Sequence, residues 1–510
     1  MPSISPTRAE APFVLTLDVG TTSARAELYD RRGRAIKDVH ASSPCPLETT
    51  PDGGAQMDPD ALFELVAEVL DEACREARAK LGAGAAVAGV GMATFWHSFL
   101  GIDDRGRPTT PLFLWADSRS RDRMPALQSR LDERAVHART GCLLHWSYWP
   151  AKLLWLARTH ADAVTRTRRW VSFGEYVHLR LFGDADCSYS MASGTGLLDQ
   201  NRRDWDPEVL DAAGISPELL SPLADHDAAR SGLAAAYARR WPLLKDAPWY
   251  PAAGDGAMSN VGAGCVTRER MALMIGTSGA LRVAWAAPTT VIPWGAWCYR
   301  ADGGRFVMGG ALSNGGNLYG WLRETLRLPS IREAERQIAA MEVDAHGLTV
   351  LPFLAGERAP GYAANARAAV LGMTLATRPI DVARAGLEAI ALRFALLHEI
   401  VSEVVPEARQ VVASGGALLR SPAWCQMIAD ALGQTVAASG EPEASSRGAA
   451  LLALEQLGAI ENVGSLPLTL GRTYEPSPEA HERFVAAQER HRRAYATLVA
   501  GDGERPPLLG

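Results

Sequence analysis

Apolar and polar residues alternate through LTLDVGTTSARAEL, residues 15–28. Leu15, Leu17 and Val19 take turns with Thr16, Asp18 and Gly20, which is the period of a β-strand. Gly20 breaks the run, three hydroxyl residues follow, and Ala24, Ala26 and Leu28 carry a returning strand. With a further turn at YDRRGR, the pattern predicts a β-meander over residues 13–45. It then predicts a helix near 58–80, capped by Asp58 or Asp60. AVAGVGMATF, residues 86–95, reads as a buried strand, and GIDDRGRPTTPLFLW as a turn between two more. Residues 120–180 read as largely helical, and WYPAAGDGAMSNVGAG, residues 249–264, as a glycine-rich turn into a helix.

The opening pattern then returns. ALMIGTSGALRVAW, residues 272–285, repeats the grammar of strand, polar turn and strand, with Gly276-Thr277-Ser278-Gly279 echoing Gly20-Thr21-Thr22-Ser23. A further meander is expected through FVMGGALSNGGNLYGWL, and a helix through IDVARAGLEAIALRFALLHEIVSEV. This order predicts two similar α/β halves that meet near residue 250. Backbone N–H groups and hydroxyls in such turns form a concavity suited to an anion. An aspartate beside one suits a cation that the anion also binds. Two such turns facing each other would take the phosphates of one ATP, in a cleft between the halves; an ordinary hairpin is the alternative for either turn alone.

Composition narrows the field. A chain of 510 residues allows two or more domains, and its net charge of −6 speaks against a mainly nucleic-acid partner. No apolar run reaches membrane-span length, and MPSISPTRAEAPF lacks the apolar core of a signal peptide. Seven dispersed cysteines suit a reducing cytoplasm, which is the expected location. No two His or Cys fall at zinc spacing. Lysine occurs only at positions 37, 80, 152 and 245, so no Walker-type phosphate loop exists.

Phosphoryl transfer needs positioning, charge neutralisation and an acceptor for the attacking hydroxyl's proton. Thr21, Thr22, Thr277 and Ser278 are candidates to cradle phosphates, and Asp18 to engage Mg²⁺ through water. Asp255 in AAGDGAMSN is the candidate base, with flanking glycines that allow substrate and backbone to approach; a helix cap is its other reading. FWHSFLGIDDRGRPTTPLFLWADSRS offers Trp96, His97, Trp115, Asp117 and Arg119 for a polyol. The competing reading buries both tryptophans in the core and makes Asp117–Arg119 a surface ion pair.

These residues resemble the FGGY family of carbohydrate kinases, from about 13 to 490. LTLDVGTTSARAELYDRRG resembles the family's first phosphate motif and WADSRS its W-x-D-x-R stretch. DCSYSMASGTGLLDQNRRDWD resembles the segment before the crossover between domains. GDGAMSNVGAG resembles the stretch with the catalytic aspartate, and IGTSGALRV the second phosphate motif. SGGALLRSPAWCQMIADALGQTV with EASSRGAALLAL resembles the adenine signature. The resemblance implies an α/β fold of two actin-like, ribonuclease-H-like domains around a cleft. It divides the chain into 1–250, 251–490 and a tail at 491–510. It implies ATP and Mg²⁺, a sugar or sugar-acid substrate, no nucleic-acid or membrane partner, and a homodimer as the candidate assembly.

Carried over by position, the resemblance places Asp18, Thr21 and Thr22 at the metal and first phosphate positions. Gly276 and Thr277 fall at the second phosphate turn. Gly316 and Gly320 fall at nucleotide contacts, and Gly416 and Arg420 on the adenine side. Asp255 is the implied base, shared with the metal and the substrate. Trp96, His97 and Asp117 fall in the substrate stretch. TFWHSFLGID and LPFLAGERAPGYAANARAAVLGM look most like gluconokinase-type members, with xylulokinases next. The family's usual aspartate and glycine are replaced by Ala363 and Ala368. A catalytically silent sugar sensor, and an actin-like ATPase acting on a protein, are the competing functions.

Overall fold

The computed structural model describes residues 3–82 and 86–499. In the first half, β1 (Phe13–Val19) pairs antiparallel with β2 (Ser23–Tyr29), and β2 with β3 (Ala35–Pro44). Helix α1 (Pro59–Leu81) follows. Of the two candidate caps, Asp58 is the one used: its carboxylate accepts from the Asp60 and Ala61 N–H groups at 2.9 and 3.0 Å. The chain returns through β4 (Val87–Thr94), parallel to β1, and much later through β5 (Ala253–Gly254), parallel to β4. The sheet order is β5-β4-β1-β2-β3.

The alternation in β1 does not separate core from solvent. Thr16 and Asp18 are as buried as Leu15 and Leu17, because a helix from far along the chain covers the sheet's second face.

In the second half, β6 (Arg270–Ile275) and β7 (Gly279–Ala286) form the second hairpin. Strands β8 (Trp297–Arg300) and β9 (Arg305–Leu312) extend it. Strands β10 (Gln410–Ser414) and β11 (Thr435–Ser439) add in parallel on the other side, and β12 (Leu470–Tyr474) closes the edge. Within the order β8-β9-β7-β6-β10-β11-β12, the run β9-β7-β6-β10-β11 repeats β3-β2-β1-β4-β5 in order and direction. The two halves expected from the sequence are thus the same sheet built twice, as two ribonuclease-H-like units.

The meander expected through residues 306–322 ends early. After β9 the chain enters α-helix Gly316–Thr325 (α3), not another strand. Leu318 and Leu322, four apart, bury one face of it against α4 (Pro379–Ser402), where Gly386 leaves room for the Leu322 side chain. Among the described residues no helix is long and apolar enough to cross a membrane, and all seven cysteines are free.

The halves are joined at a close helix crossing. Helix α2 (Asp255–Gly262) leaves β5 and meets the helix at Ala444–Gln456, named α6 here because the short α5 (Gly416–Leu419) precedes it. A Cβ on Gly262 would stand 1.8 Å from the Ala444 carbonyl oxygen, and one on Gly448 2.0 Å from that of Met258. Helix α6 is the element lying on the first sheet: Thr16 and Ser446 share a buried 2.6 Å hydrogen bond, and Gly91 faces the Ala449 carbonyl. Strand β5, just after the expected division at 250/251, is hydrogen-bonded into the first sheet. The last helix, α7 (Pro478–Leu498), runs through residue 491, where the tail was expected to begin.

This crossing sets a sign test. In an open helix Gly→Ala stabilises by about 1 kcal/mol. At Gly448 the added methyl meets backbone, so Gly448→Ala should instead destabilise by roughly 1–3 kcal/mol. Urea unfolding measures it, and an unchanged or raised midpoint would show that the crossing is loose.

Candidate active site

Two carboxylates stand at the carboxyl ends of first-sheet strands. Asp18 is the sixth residue of β1, in register with Ala93 of β4 and Arg25 of β2. Asp255 opens α2 directly after β5, whose Gly254 pairs with Thr94. Strand β4 lies between them, so their backbones are roughly 10 Å apart, near enough for the two charges to act on each other. Burial, and then the charge of Asp255, push the Asp18 carboxyl up to about 7. Arg25 opposes this, but it is paired with Glu443, which itself adds to the repulsion. Burial also raises Asp255 above the ordinary carboxylate range. The Gly256 N–H at 2.7 Å, the Arg282 guanidinium and the Trp96 N–H hold that rise back. The helix cap itself is Gly254, so the Asp255 carboxylate is not spent on capping.

The two hairpin turns are built alike. Gly20 N–H donates to Ser23 O and Gly276 N–H to Ser278 O, both at 2.9 Å. Thr22 and Thr277 are exposed and Thr21 half-buried. The second turn is backed by α3, whose Gly316 and Asn317 N–H groups donate to Gly276 O and Thr277 O. Gly316 must be a glycine, since a Cβ would stand 2.4 Å from Gly276 O. So must Gly415, with φ +89° and Ile275 O 2.4 Å from its Cβ position. Gly276, Thr277, Gly316 and Gly416 thus converge where β6, α3 and α5 meet. Gly320 lies one turn along α3 with open space beside it, and exposed Arg420 follows α5.

Trp96 and His97 leave the end of β4. The Trp96 indole donates to Ser190 O at 2.9 Å and lies flat against Gly254, whose Cβ would be 1.9 Å from the ring. The glycines around Asp255 therefore admit this tryptophan, and at Gly256 also Arg282, rather than substrate. His97 has φ +65°. Its ring sits 5.0 Å from Tyr148 and 5.4 Å from Tyr299, whose hydroxyls are 2.6 Å apart. His97 Nδ1 meets Gly194 O, so it carries the proton and Nε2 is left as an acceptor. Burial pushes the imidazole down to about 3, helped by Arg358 and Lys152, so the ring is neutral at any working pH.

Asp117 is not free to read a hydroxyl. It is buried, and its oxygens accept from Ala55 N–H, Arg119 N–H and the Arg119 guanidinium at 2.6–3.2 Å. Arg119 in turn stacks on Trp155. The pair is buried rather than a surface ion pair, and it fixes the loop carrying Trp115. Trp115 is 37 % exposed, not core, with Arg358 from the second half over its ring.

Comparison with known proteins settles what this arrangement belongs to. The N-terminal domain model of the FGGY family of carbohydrate kinases matches residues 13–262, and the C-terminal domain model matches 271–457. The chain belongs to the FGGY family of carbohydrate kinases. It is similar to a gluconokinase of Bacillus subtilis (28 % identical, covering 91 % of this chain and 92 % of that one). A xylulose kinase of Lactococcus lactis is 24 % identical over 94 % of each chain. Among solved structures, a gluconate kinase from Lactobacillus acidophilus superposes with a TM-score of 0.88 at 26 % identity, covering 96 % of this chain and 99 % of that one. A Plasmodium falciparum glycerol kinase with ADP, 17 % identical, shares the fold with a TM-score of 0.85, over 94 % of this chain and 98 % of that one. The protein is therefore a sugar kinase with an actin-like ATPase fold, and its family uses ATP.

In this FGGY kinase the sequence reading missed Arg25, Tyr148, Tyr299, Lys152 and Arg358. Tyr148 and Tyr299 are 151 residues apart, and only the fold brings them together. Lys152, pushed down to about 7 by burial, donates to Leu114 O and so braces the Trp115 loop. No group of three or more His, Cys, Asp or Glu forms a metal cage among the described residues. Two repelling carboxylates beside a phosphate turn nonetheless fit a Mg²⁺ that keeps most of its waters.

The Asp18 carboxyl binds its proton up to about 7 in the fold against 3.8 in the free side chain. The folded protein thus holds an extra proton between these values. That stability is full below about pH 4 and is lost as pH rises through 7. Asp18→Asn should flatten this fall in the nucleotide-free enzyme, read as urea midpoints from pH 5 to 8. Parallel profiles for the two proteins would contradict the assignment.

Proposed function

We propose that the enzyme transfers the γ-phosphoryl group of ATP to a hydroxyl of an open-chain sugar acid of the gluconate type. Asp255 accepts the proton of the attacking hydroxyl, and its raised basicity suits that task. The N–H groups and hydroxyls at Thr21, Thr22, Gly276 and Thr277 hold the phosphates. Gly316 and Gly320 border the nucleotide, with Gly416 and Arg420 on the adenine side. Asp18 and Asp255 would hold Mg²⁺, which neutralises phosphate charge when bound. His97 Nε2 accepts from a sugar hydroxyl while Trp96 and Trp115 wall the carbon chain. Arg358 of the second half lies over Trp115 of the first, so approach of the halves would exclude water from the transfer.

One observation supports an acid over a neutral sugar. Arg358 stacks over Trp115 and its charge reaches His97, so a guanidinium stands at the sugar end of the site. It is positioned to pair with a substrate carboxylate. The higher identity to gluconokinases than to xylulose kinases agrees with this. A pentulose kinase is the second reading, supported by a ligand-bound xylulose kinase structure that superposes equally well, with a TM-score of 0.88.

Coupled ADP release over D-gluconate, xylulose, ribulose, fuculose, erythritol and glycerol decides between them, with gluconate expected to turn over fastest. His97→Ala strands a buried hydroxyl and should cost roughly 1–3 kcal/mol, on the order of ten- to hundred-fold in kcat/KM, with the KM for ATP little changed. Arg358→Gln should lower kcat/KM for gluconate more than for xylulose. A pentulose as best acceptor, indifferent to Arg358→Gln, would overturn the acid reading. Sugar binding without turnover would instead mark a sensor, and ATP hydrolysis indifferent to every sugar an ATPase with a protein partner.

A further inference from the structure

A second cavity, of about 860 Å³, lies between the halves, and neither Asp18, Asp255 nor His97 lines it. Its first-half wall is Arg121, Met124, Pro125, Gln128 and residues 144–146; its second-half wall is Trp294, residues 361–369 and parts of α4 and α7. His145, Tyr148 and Tyr362 stand between it and the His97 ring.

The lining has one sign of charge. Arg121, Arg367, Arg393 and Arg492 face it beside His145 and the neutral His491, and no Asp or Glu does among the described residues. In a chain of net charge −6 this is a local reversal. The rest is mostly aromatic or small, including Trp294 and Trp146, the latter flanked by Arg121 at 4.3 Å and the His145 ring at 3.6 Å.

The floor holds unpaired polar groups. Arg393 and His491 are only 2 % and 1 % exposed. Arg393 gives one Nη to Glu357, but its Nε and other Nη have no hydrogen-bond partner, nor does either nitrogen of His491. Glu357 has no capacity left over, because the Tyr495 hydroxyl and the Gly361 and Ala363 N–H groups also use it. Arg492 is engaged by Glu399, away from its buried and unpartnered Nε. Burial and the two neighbouring arginines hold His491 neutral, with its pKa down at about 3. These groups lie just beneath the cavity surface, and buried donors left unpaired cost free energy that an acceptor reaching them recovers.

We propose that this cavity is a binding site for a small organic anion with a flat apolar body, separate from the phosphoryl-transfer site. The aromatic walls take the body and the arginines take the anionic group. Ala363 and Ala368 both line the cavity. An aspartate at 363 would place a carboxylate among the arginines. Because the walls come from both halves, an occupant would bias how far they close, which is the geometry of an effector site.

The test uses 8-anilinonaphthalene-1-sulfonate as the probe, titrated calorimetrically into the full chain with a non-hydrolysable ATP analogue saturating the nucleotide turns. One molecule should bind per chain. Ala368→Asp, at an exposed position, and Ala363→Asp should each weaken binding at least tenfold. N-phenyl-1-naphthylamine, the same body without the sulfonate, should bind the wild-type protein at least tenfold more weakly. Equal affinity for the charged and neutral probes would overturn the proposal, since that comparison needs no variant. So would sulfonate binding that neither aspartate weakens. Turnover on the sugar panel is read separately, so failure of the kinase reading leaves this result standing.

Discussion

Asp18 and Asp255 stand at the same end of the first sheet, one strand apart, with too little positive charge beside them. Arg25 is engaged by Glu443, and Arg282 donates one Nη to the Gly256 carbonyl. A buried carboxylate pair left in this state is costly unless one member takes a proton or a cation arrives. The fold maintains that cost. It holds Asp255 at the start of a helix locked by glycines against α6, and Asp18 in a strand buried on both faces. Phosphoryl transfer needs these same two things, a charge to meet the metal and phosphates and a base for the hydroxyl proton.

The doubled sheet explains how one cleft serves both substrates. Each copy ends its first strand in a Gly-Thr turn, and under the proposed function the two turns share one run of phosphates. The copies then diverge. The first adds the β4 exit with Trp96 and His97, and the second adds the glycine-lined junction of α3 and α5. Under the proposed function the sugar side is aromatic, with a neutral histidine acceptor and an arginine, and the nucleotide side is mostly backbone, where glycines let helix starts touch the turn.

Much of this was legible because local chemistry carried it. The period-two run and Gly-Thr break predicted β1, the turn and β2, and the aspartates flanking Pro59 pointed to a cap of α1, of which Asp58 is the one used. The signal failed where an element is short or its partner is distant. Strand β5 has two residues and no readable period. Helix α3 was read as strand because its glycine start looked like another turn, although Leu318 and Leu322 already had helical spacing. The glycines around Asp255 looked like room for substrate, but it is the Trp96 ring that they admit. Asp117 looked available because Ala55, which occupies one of its oxygens, is 62 residues away.

The central claim is that Asp255 acts as the base. It is tested most directly by Asp255→Asn in single-turnover transfer from γ-labelled ATP to the best acceptor, with nucleotide affinity measured alongside. An amide of the same shape keeps the local packing but cannot take the hydroxyl proton. The account predicts a rate lowered by about 10²–10⁴-fold with nucleotide binding retained. Transfer at the wild-type rate would contradict it and remove Asp255 from the chemistry.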